Sequence, residues 1–374
     1  MHQSYWRWTR TTGRYVRLLH NWLWIVLISW MPSFASEEPL FKQVVIWGHK
    51  LHTHTHSYIH EAFFHAFSHL GYPTYWLDKD DLVDGMDFSD TLFLTEGQAD
   101  TEIPLRTDGL YILHNCEAKK YANIPKERKL ILQVYTDDVL QYPQFVKIAP
   151  CCYVDFTDRV VYMPWATDLL PHQIEEVKAQ MKTRVRENRV YWVGTIGAGE
   201  FGNIEQLQPF MRACDESGIA FIHCSGLDQA SQQERIGASF LAPAIVGDWQ
   251  QAKGYIPCRI FKNMSYGQIG LTNSYRVYEL FEKKILYNPD TYQLFFDGMH
   301  AMHALSEEEI FQMMDWIKKN HTYLNRIELI VRSFHLFHCV SDTSIEKYFI
   351  CISKIENICI FHYFKKYILR DKCF

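Results

Sequence analysis

PCRIFKNMSYGQIGLTNSYRVYELFEKKILYN, residues 257–288, decides how this chain is read. It runs as a loop, a helix, a glycine stop, a short apolar segment, a second helix and a strand. Arg259 and Lys262 fall at or near the start of the first helix. Free backbone N–H groups at a helix start already favour an anion. Arg259 offers a planar fork and Lys262 a point charge, a pair suited to a diphosphate. The plainer reading makes both cations solvated, with Gly267 and Gly270 as ordinary stop and turn residues.

Working outward, strand and helix signals alternate. Val44 to Trp47 is a short apolar run closed by Gly48, which predicts a buried strand. Ile59, Ala62, Phe63, Ala66, Phe67 and Leu70 recur at helical spacing, predicting a helix from His56 to Leu70 that Gly71 stops. Thr74 to Leu77, Thr91 to Leu94, Leu110 to Leu113 and Leu130 to Tyr135 are strand-length apolar runs. A charged helix is predicted from Gln173 to Arg186. A second series follows: strand Val190 to Val193, helix Ile204 to Ser217, strand Ile219 to His223 and a strand-like run Phe240 to Val246. A helix runs from Ser306 to Lys319, and residues 321–334 cross back to support the first domain. Repeated β–α order argues for parallel sheets with covering helices. The expectation is an α/β protein with two Rossmann-like domains, 37–170 and 171–334, facing across a cleft.

The chain has 374 residues and 48% hydrophobic content, enough for two cores. A net charge of −5 offers no general footprint for nucleic acid. Residues 1–36 differ from the rest. Arg7, Arg10, Arg14 and Arg17 precede an apolar run from Trp22 to Met31, and Ser33 and Ala35 occupy the −3 and −1 positions of a cut after Ala35. This is the layout of a signal peptide or signal anchor. It implies a body that is exported or membrane-anchored, with membrane association through the N-terminus. A cytoplasmic protein follows if the segment is not a signal. The 10 cysteines imply no disulfide framework and contain no CxxC pair. Residues 335–374 suggest an added helix and no function. Sequons stand at Asn263 and Asn320; a glycan on Asn263 would block the anion site, so that sequon is expected to be unused.

Two further features carry chemistry. Gly194 and Thr195 follow the strand ending at Val193, a turn where backbone can approach a ligand. The stretch GHKLHTHTHS, residues 48–57, follows the first strand at the carboxyl edge of its sheet. A histidine there could take a proton from a hydroxyl. His54 and His56 are the first candidates and His49 the next, with Asp137 and Asp138 as rival bases. His60, His65 and His69 are expected on the helix's polar side. Each histidine has a structural alternative, capping the helix or lining the cleft. A zinc-dependent hydrolase is another reading, in which His52, His54 and His56 join His114 and His223.

The pattern RIFKNMSYGQIGLTNSYRVYELF…ILYN resembles the donor-binding region of GT-B glycosyltransferases, in the group-1-like and spore-maturation-type branch. VYWVGTIG at Tyr191, MPWATD at Met163 and HTYLNRIELI at His321 are similar to other parts of that branch. The resemblance covers residues 42–334. It implies a nucleotide-sugar in the second domain and a glycan, lipid or protein acceptor in the first, with no metal and no other cofactor. Arg259 and Lys262 would face the diphosphate, Gly194 and Thr195 would lie on the opposing loop, and Asn273, Tyr278 and Glu279 would lie near ribose or sugar hydroxyls. Lys262 stands where many relatives have Glu. A non-catalytic sugar or nucleotide binder on the same fold is the alternative.

Overall fold

A computed structural model describes residues 40–50 and 55–340 of the chain. The signal segment and the tail beyond Val340 lie outside the described residues. Among the described residues, no helix is long and apolar enough to cross a membrane.

The first half is an eight-stranded sheet. Its strands are β1 (Gln43–Trp47), β2 (Thr74–Leu77), β3 (Thr91–Glu96), β4 (Leu110–His114), β5 (Lys129–Gln133), β6 (Phe145–Ala149), β7 (Cys152–Asp155) and β8 (Val160–Tyr162). The order is β2-β1-β3-β4-β5-β8-β7-β6. Pairing is parallel from β2 through to β8, and β7 and β6 add antiparallel strands at one edge. Val45, Ile46, Phe93, Leu94, Tyr111 and Ile112 are all buried, as a sheet covered on both faces requires. Helix α1 (Thr55–His69) follows β1, and the short α2 (Thr136–Leu140) follows β5. The sequence reading found β1 to β5 but not β6 to β8. Those strands are short, and β6 has two adjacent exposed residues, Val146 and Lys147, so they carry no long apolar run.

The second half begins with α3 (Pro171–Met181), shorter than the predicted helix. It continues through β9 (Arg189–Val193), α4 (Ile204–Glu216), β10 (Ala220–Cys224) and α5 (Gln229–Ala238). Strands β9 and β10 are parallel. Residues 240–246 then run between two short sheets. Phe240 N donates to Arg189 O at 2.7 Å, and Ala244 N donates to Leu271 O at 2.8 Å. After α6 (Asp248–Ala252) comes the decisive stretch as α7 (Cys258–Ser265), β11 (Leu271–Thr272), α8 (Tyr275–Leu280) and β12 (Leu286–Tyr287), with β11 and β12 parallel. Gly267, at φ 86°, ends α7; a side chain there would collide with Met181. Helices α9 (Thr291–Ala304) and α10 (Glu307–Asn320) follow. Ser306 and Glu309 form the reciprocal cap of α10.

The last helix, α11 (Tyr323–Val340), returns to the first half, where Tyr323 meets Phe63 of α1 at 4.6 Å. At its start Arg326 is buried and donates to the carbonyls of Pro164, at 2.6 Å, and Trp165, at 2.8 Å. The chain thus crosses twice between two parallel α/β halves, which face each other across a cleft. That is the expected α/β arrangement.

Candidate functional site: a cleft and a buried histidine–glutamate cluster

The cleft has a volume of about 210 Å³. The loops after β9 and β10 and the first turn of α7 wall it on one side, and Thr55 and Tyr58 of α1 on the other. Its position beyond strand carboxyl ends and at helix starts is where an open α/β sheet offers backbone N–H groups to a ligand. Pro257 precedes α7 and supplies no side-chain cap; its carbonyl accepts from Ile260 N at 3.3 Å.

Arg259 lies in that first turn. Its guanidinium stacks on Trp192, 3.7 Å from the ring centroid, and its Nε and Nη2 donate to Val193 O at 3.3 and 3.2 Å. Burial pulls its pKa down to about 10, which leaves it charged at neutral pH. Among the described residues it forms no ion pair with an acidic side chain. Gly194 lets it lie there: at φ 121° this residue has a backbone that side chains disfavour, and a Cβ would stand 2.6 Å from Arg259 Nη2. On the same wall, His223 Nε2 donates to Gly194 O at 2.8 Å.

Lys262 also lines the cleft, but its charge is already engaged. Its Nζ lies 3.2 Å from Asp168 Oδ2, donates to Gln232 Oε1, and sits 4.8 Å from the centre of the Tyr58 ring. Asp168 in turn accepts from Tyr266 OH at 2.7 and 2.8 Å. Lys262 and Asp168 are only 7% and 9% exposed, so each offsets part of the other's cost of burial. The N-terminal half joins the network through Tyr58, whose OH donates to Leu227 O at 2.9 Å.

The carboxyl edge of the first sheet holds a second group. His49 Nε2 lies 2.8 Å from Glu96 Oε2, and His56 Nδ1 lies 3.9 Å from the same oxygen. Gln98 N donates to that oxygen at 3.0 Å, while Glu96 Oε1 is buried without a hydrogen-bond partner. Two more imidazoles close the group. His60 Nδ1 donates to Gly48 O at 2.9 Å, and its ring meets that of His49 at 5.1 Å. His114 Nδ1 donates to Leu132 O at 3.1 Å, with its ring 5.5 Å from that of His56 and 5.1 Å from that of Trp165. Burial holds His60 down at about 3 and lowers His114, so both are neutral near pH 7. Glu96 is held at about 2: burial opposes ionisation, and His49, His56 and the Gln98 amide outweigh it. A void of about 10 Å³ lies beside His56, His60, Glu96, His114 and Trp165.

The structure thus brings Gly194, Thr195, Arg259 and Lys262 together in one cleft, and His49 and His56 into one cluster. His52 and His54 lie outside the described residues. Asn273 is fully buried, exchanging two 3.0 Å hydrogen bonds with the backbone of Val246. Tyr278 stacks on Tyr287 at 5.3 Å, and Glu279 pairs with Arg276 at 2.9 Å. None of these last three lines the cleft. Asp137 pairs with Arg276 at 3.0 Å. Contrary to expectation, His60 is buried rather than on a polar face; its imidazole hydrogen-bonds the carbonyl of Gly48, just after β1. Among the described residues, His223 belongs to the cleft and not to the cluster. Asn263 is buried and donates to Ala242 O at 2.7 Å, so its sequon is closed in the folded chain. Sequence reasoning missed Glu96, Asp168 and Tyr58. Glu96 had one signal, a carboxylate standing directly at the end of an apolar strand.

No protein-family model matches this chain. No curated protein matches it at a significant level. A solved structure similar to it is a UDP-forming alpha,alpha-trehalose-phosphate synthase from Burkholderia xenovorans, with a TM-score of 0.41 and 10% identity, covering 66% of this chain and 74% of that one. At that level the likeness says nothing about this chain's ligands.

Proposed function

We propose that the protein is a glycosyltransferase that binds a nucleotide-sugar in the cleft and passes the sugar to a glycan, lipid or protein acceptor. The observation that carries this reading is Arg259, a charged guanidinium without an acidic partner among the described residues, at the start of α7 and beside the Gly194–Thr195 turn. A departing diphosphate gains negative charge. Preorganised donors and a fixed cation stabilise that charge without a metal on the donor side. Arg259 supplies the cation, and the backbone after Gly194 approaches beside it on the same wall. Lys262, neutralised by Asp168, positions α7 against α1 and contributes less field than its charge suggests. His49 and His56, with Glu96, supply the group that takes the acceptor's proton; His56, with a side chain 20% exposed, is the more accessible.

A second reading is a binder on the same fold that does not turn over its ligand. The neutralised Lys262 favours it, because the cleft then presents one uncompensated cation rather than two.

Thermal-shift measurements with UDP, GDP and CMP test the binding step. A nucleoside diphosphate should raise Tm without added metal, and Arg259→Met should remove that ligand-dependent rise, each protein being compared with its own unliganded Tm. No shift with any nucleotide would overturn both readings. Donor hydrolysis into water separates them: release of the diphosphate identifies a transferase, and binding without release identifies a binder.

A further inference from the structure

We propose that His49, His56 and Glu96 form a binding site for one transition-metal dication of the zinc class, with a water completing its coordination. One nitrogen from each imidazole and one carboxylate oxygen lie within 4.8 Å of one another. Zinc-type ligation at about 2.1 Å places tetrahedral ligand atoms about 3.4 Å apart. The two separations from Glu96 Oε2, 2.8 Å and 3.9 Å, bracket that spacing, and all three ligand atoms lie within side-chain reach of it.

A second observation points to a cation independently. Glu96 Oε1 is buried with no hydrogen-bond partner. A buried carboxylate oxygen left this way carries a desolvation cost that an ion relieves. The donor set of two imidazoles and one carboxylate suits zinc and its neighbours, and not magnesium or calcium, which prefer an all-oxygen shell.

The surroundings fit a supporting shell. His60 is fixed by Gly48 O and packs edge-on against His49. His114 is fixed by Leu132 O and Asn115 and packs edge-on against His56. Neither is needed as a ligand; both hold the ligating rings in place. The ligands come from the end of β1, the first turn of α1 and the end of β3. The parallel sheet brings these three together although Glu96 lies 47 residues from His49. Arg259 is not among the ligands, and the site does not rest on the transferase reading; a ligating ring keeps no lone pair for a proton, so with the ion bound its water takes the base role given above to His49 and His56.

The test uses the full chain, stripped with chelator and titrated with Zn²⁺ by calorimetry and with Co²⁺ by absorption. One ion per chain is expected, with the intense visible bands of a tetrahedral cobalt centre. Glu96→Gln and, separately, His56→Gln should each weaken binding by more than about ten-fold. Glu61→Gln, a carboxylate on the same helix, should bind like the unaltered chain. His56 is partly exposed, so that variant remains informative if Glu96→Gln fails to fold. No stoichiometric binding, or affinity unchanged in both ligand variants, would overturn the proposal. Loss of nucleotide binding in the cleft would leave it standing.

Discussion

Gly194 shows how one residue without a side chain can set the chemistry of a wall. Its φ of 121° and its closeness to Arg259 Nη2 both resist a Cβ. Gly194→Ala should therefore lose about 1–3 kcal/mol of stability, from backbone strain more than from the flexible arginine tip. It should also displace Arg259 and reduce the Tm shift given by a nucleoside diphosphate; an undiminished shift would separate the glycine from the ligand. The Lys262–Asp168 pair behaves differently. Lys262→Met leaves a buried carboxylate unpaired and should cost about 3–5 kcal/mol in denaturant unfolding. The double change Lys262→Met with Asp168→Asn should recover much of that loss. If the single change costs nothing, the pair is not closed as the geometry has it. Lys262 also shows why sequence reading overstates some cations. Its position near a helix start was legible, while its neutralisation by a residue 94 positions earlier was not.

At the scale of elements, the turn between α10 and α11 links the halves through His321. Its ring stacks on Phe261 at 4.8 Å and lies 4.5 Å from Trp316, and its Nδ1 accepts from Arg326 Nη2 at 2.8 Å. Burial first, and the neighbouring Arg326 charge second, hold its pKa well below the ordinary value. The folded protein therefore keeps His321 neutral where the unfolded chain would bind a proton. Its contribution to stability is complete above about pH 6.5 and falls by about 1.4 kcal/mol per pH unit below that, until the depressed folded value is reached. Urea unfolding of the native chain and of His321→Gln between pH 5 and 8, as working conditions of about that range, should show a shallower acid slope for the variant. Equal slopes would mean that this imidazole does not titrate on unfolding. The return of residues 321–334 to the first domain was legible, and the resemblance implied a helix there. Its anchor was not, because Arg326 makes its hydrogen bonds to carbonyls at positions 164 and 165, far away in sequence.

For the whole molecule, the contacts between halves are polar as well as apolar. Thr136 Oγ1 donates to Gly254 O at 2.6 Å, Arg276 pairs with Asp137 at 3.0 Å, and Tyr323 packs on Phe63 at 4.6 Å. With a shared helix and buried charges at the junction, the halves should unfold together, as one calorimetric transition whose van't Hoff and calorimetric enthalpies agree. Two resolved transitions would show that the junction is weaker than its contacts. The sequence by itself determined the order of elements: apolar runs of strand length, helical periodicity and glycine stops are local signals, and they placed β1 to β5 and the α7–β12 stretch close to where they stand. It also placed Arg259 and Gly194 at element ends, because end positions follow from the same local signals. Only the tertiary structure decided which charges are spent and which remain open. Asp168 reaches Lys262, Glu96 reaches His49 and His56, and Val246 engages Asn273 through parallel pairing and crossovers that join distant segments. Periodicity carries no record of such pairings, since it fixes which face a residue takes and not which partner meets it there.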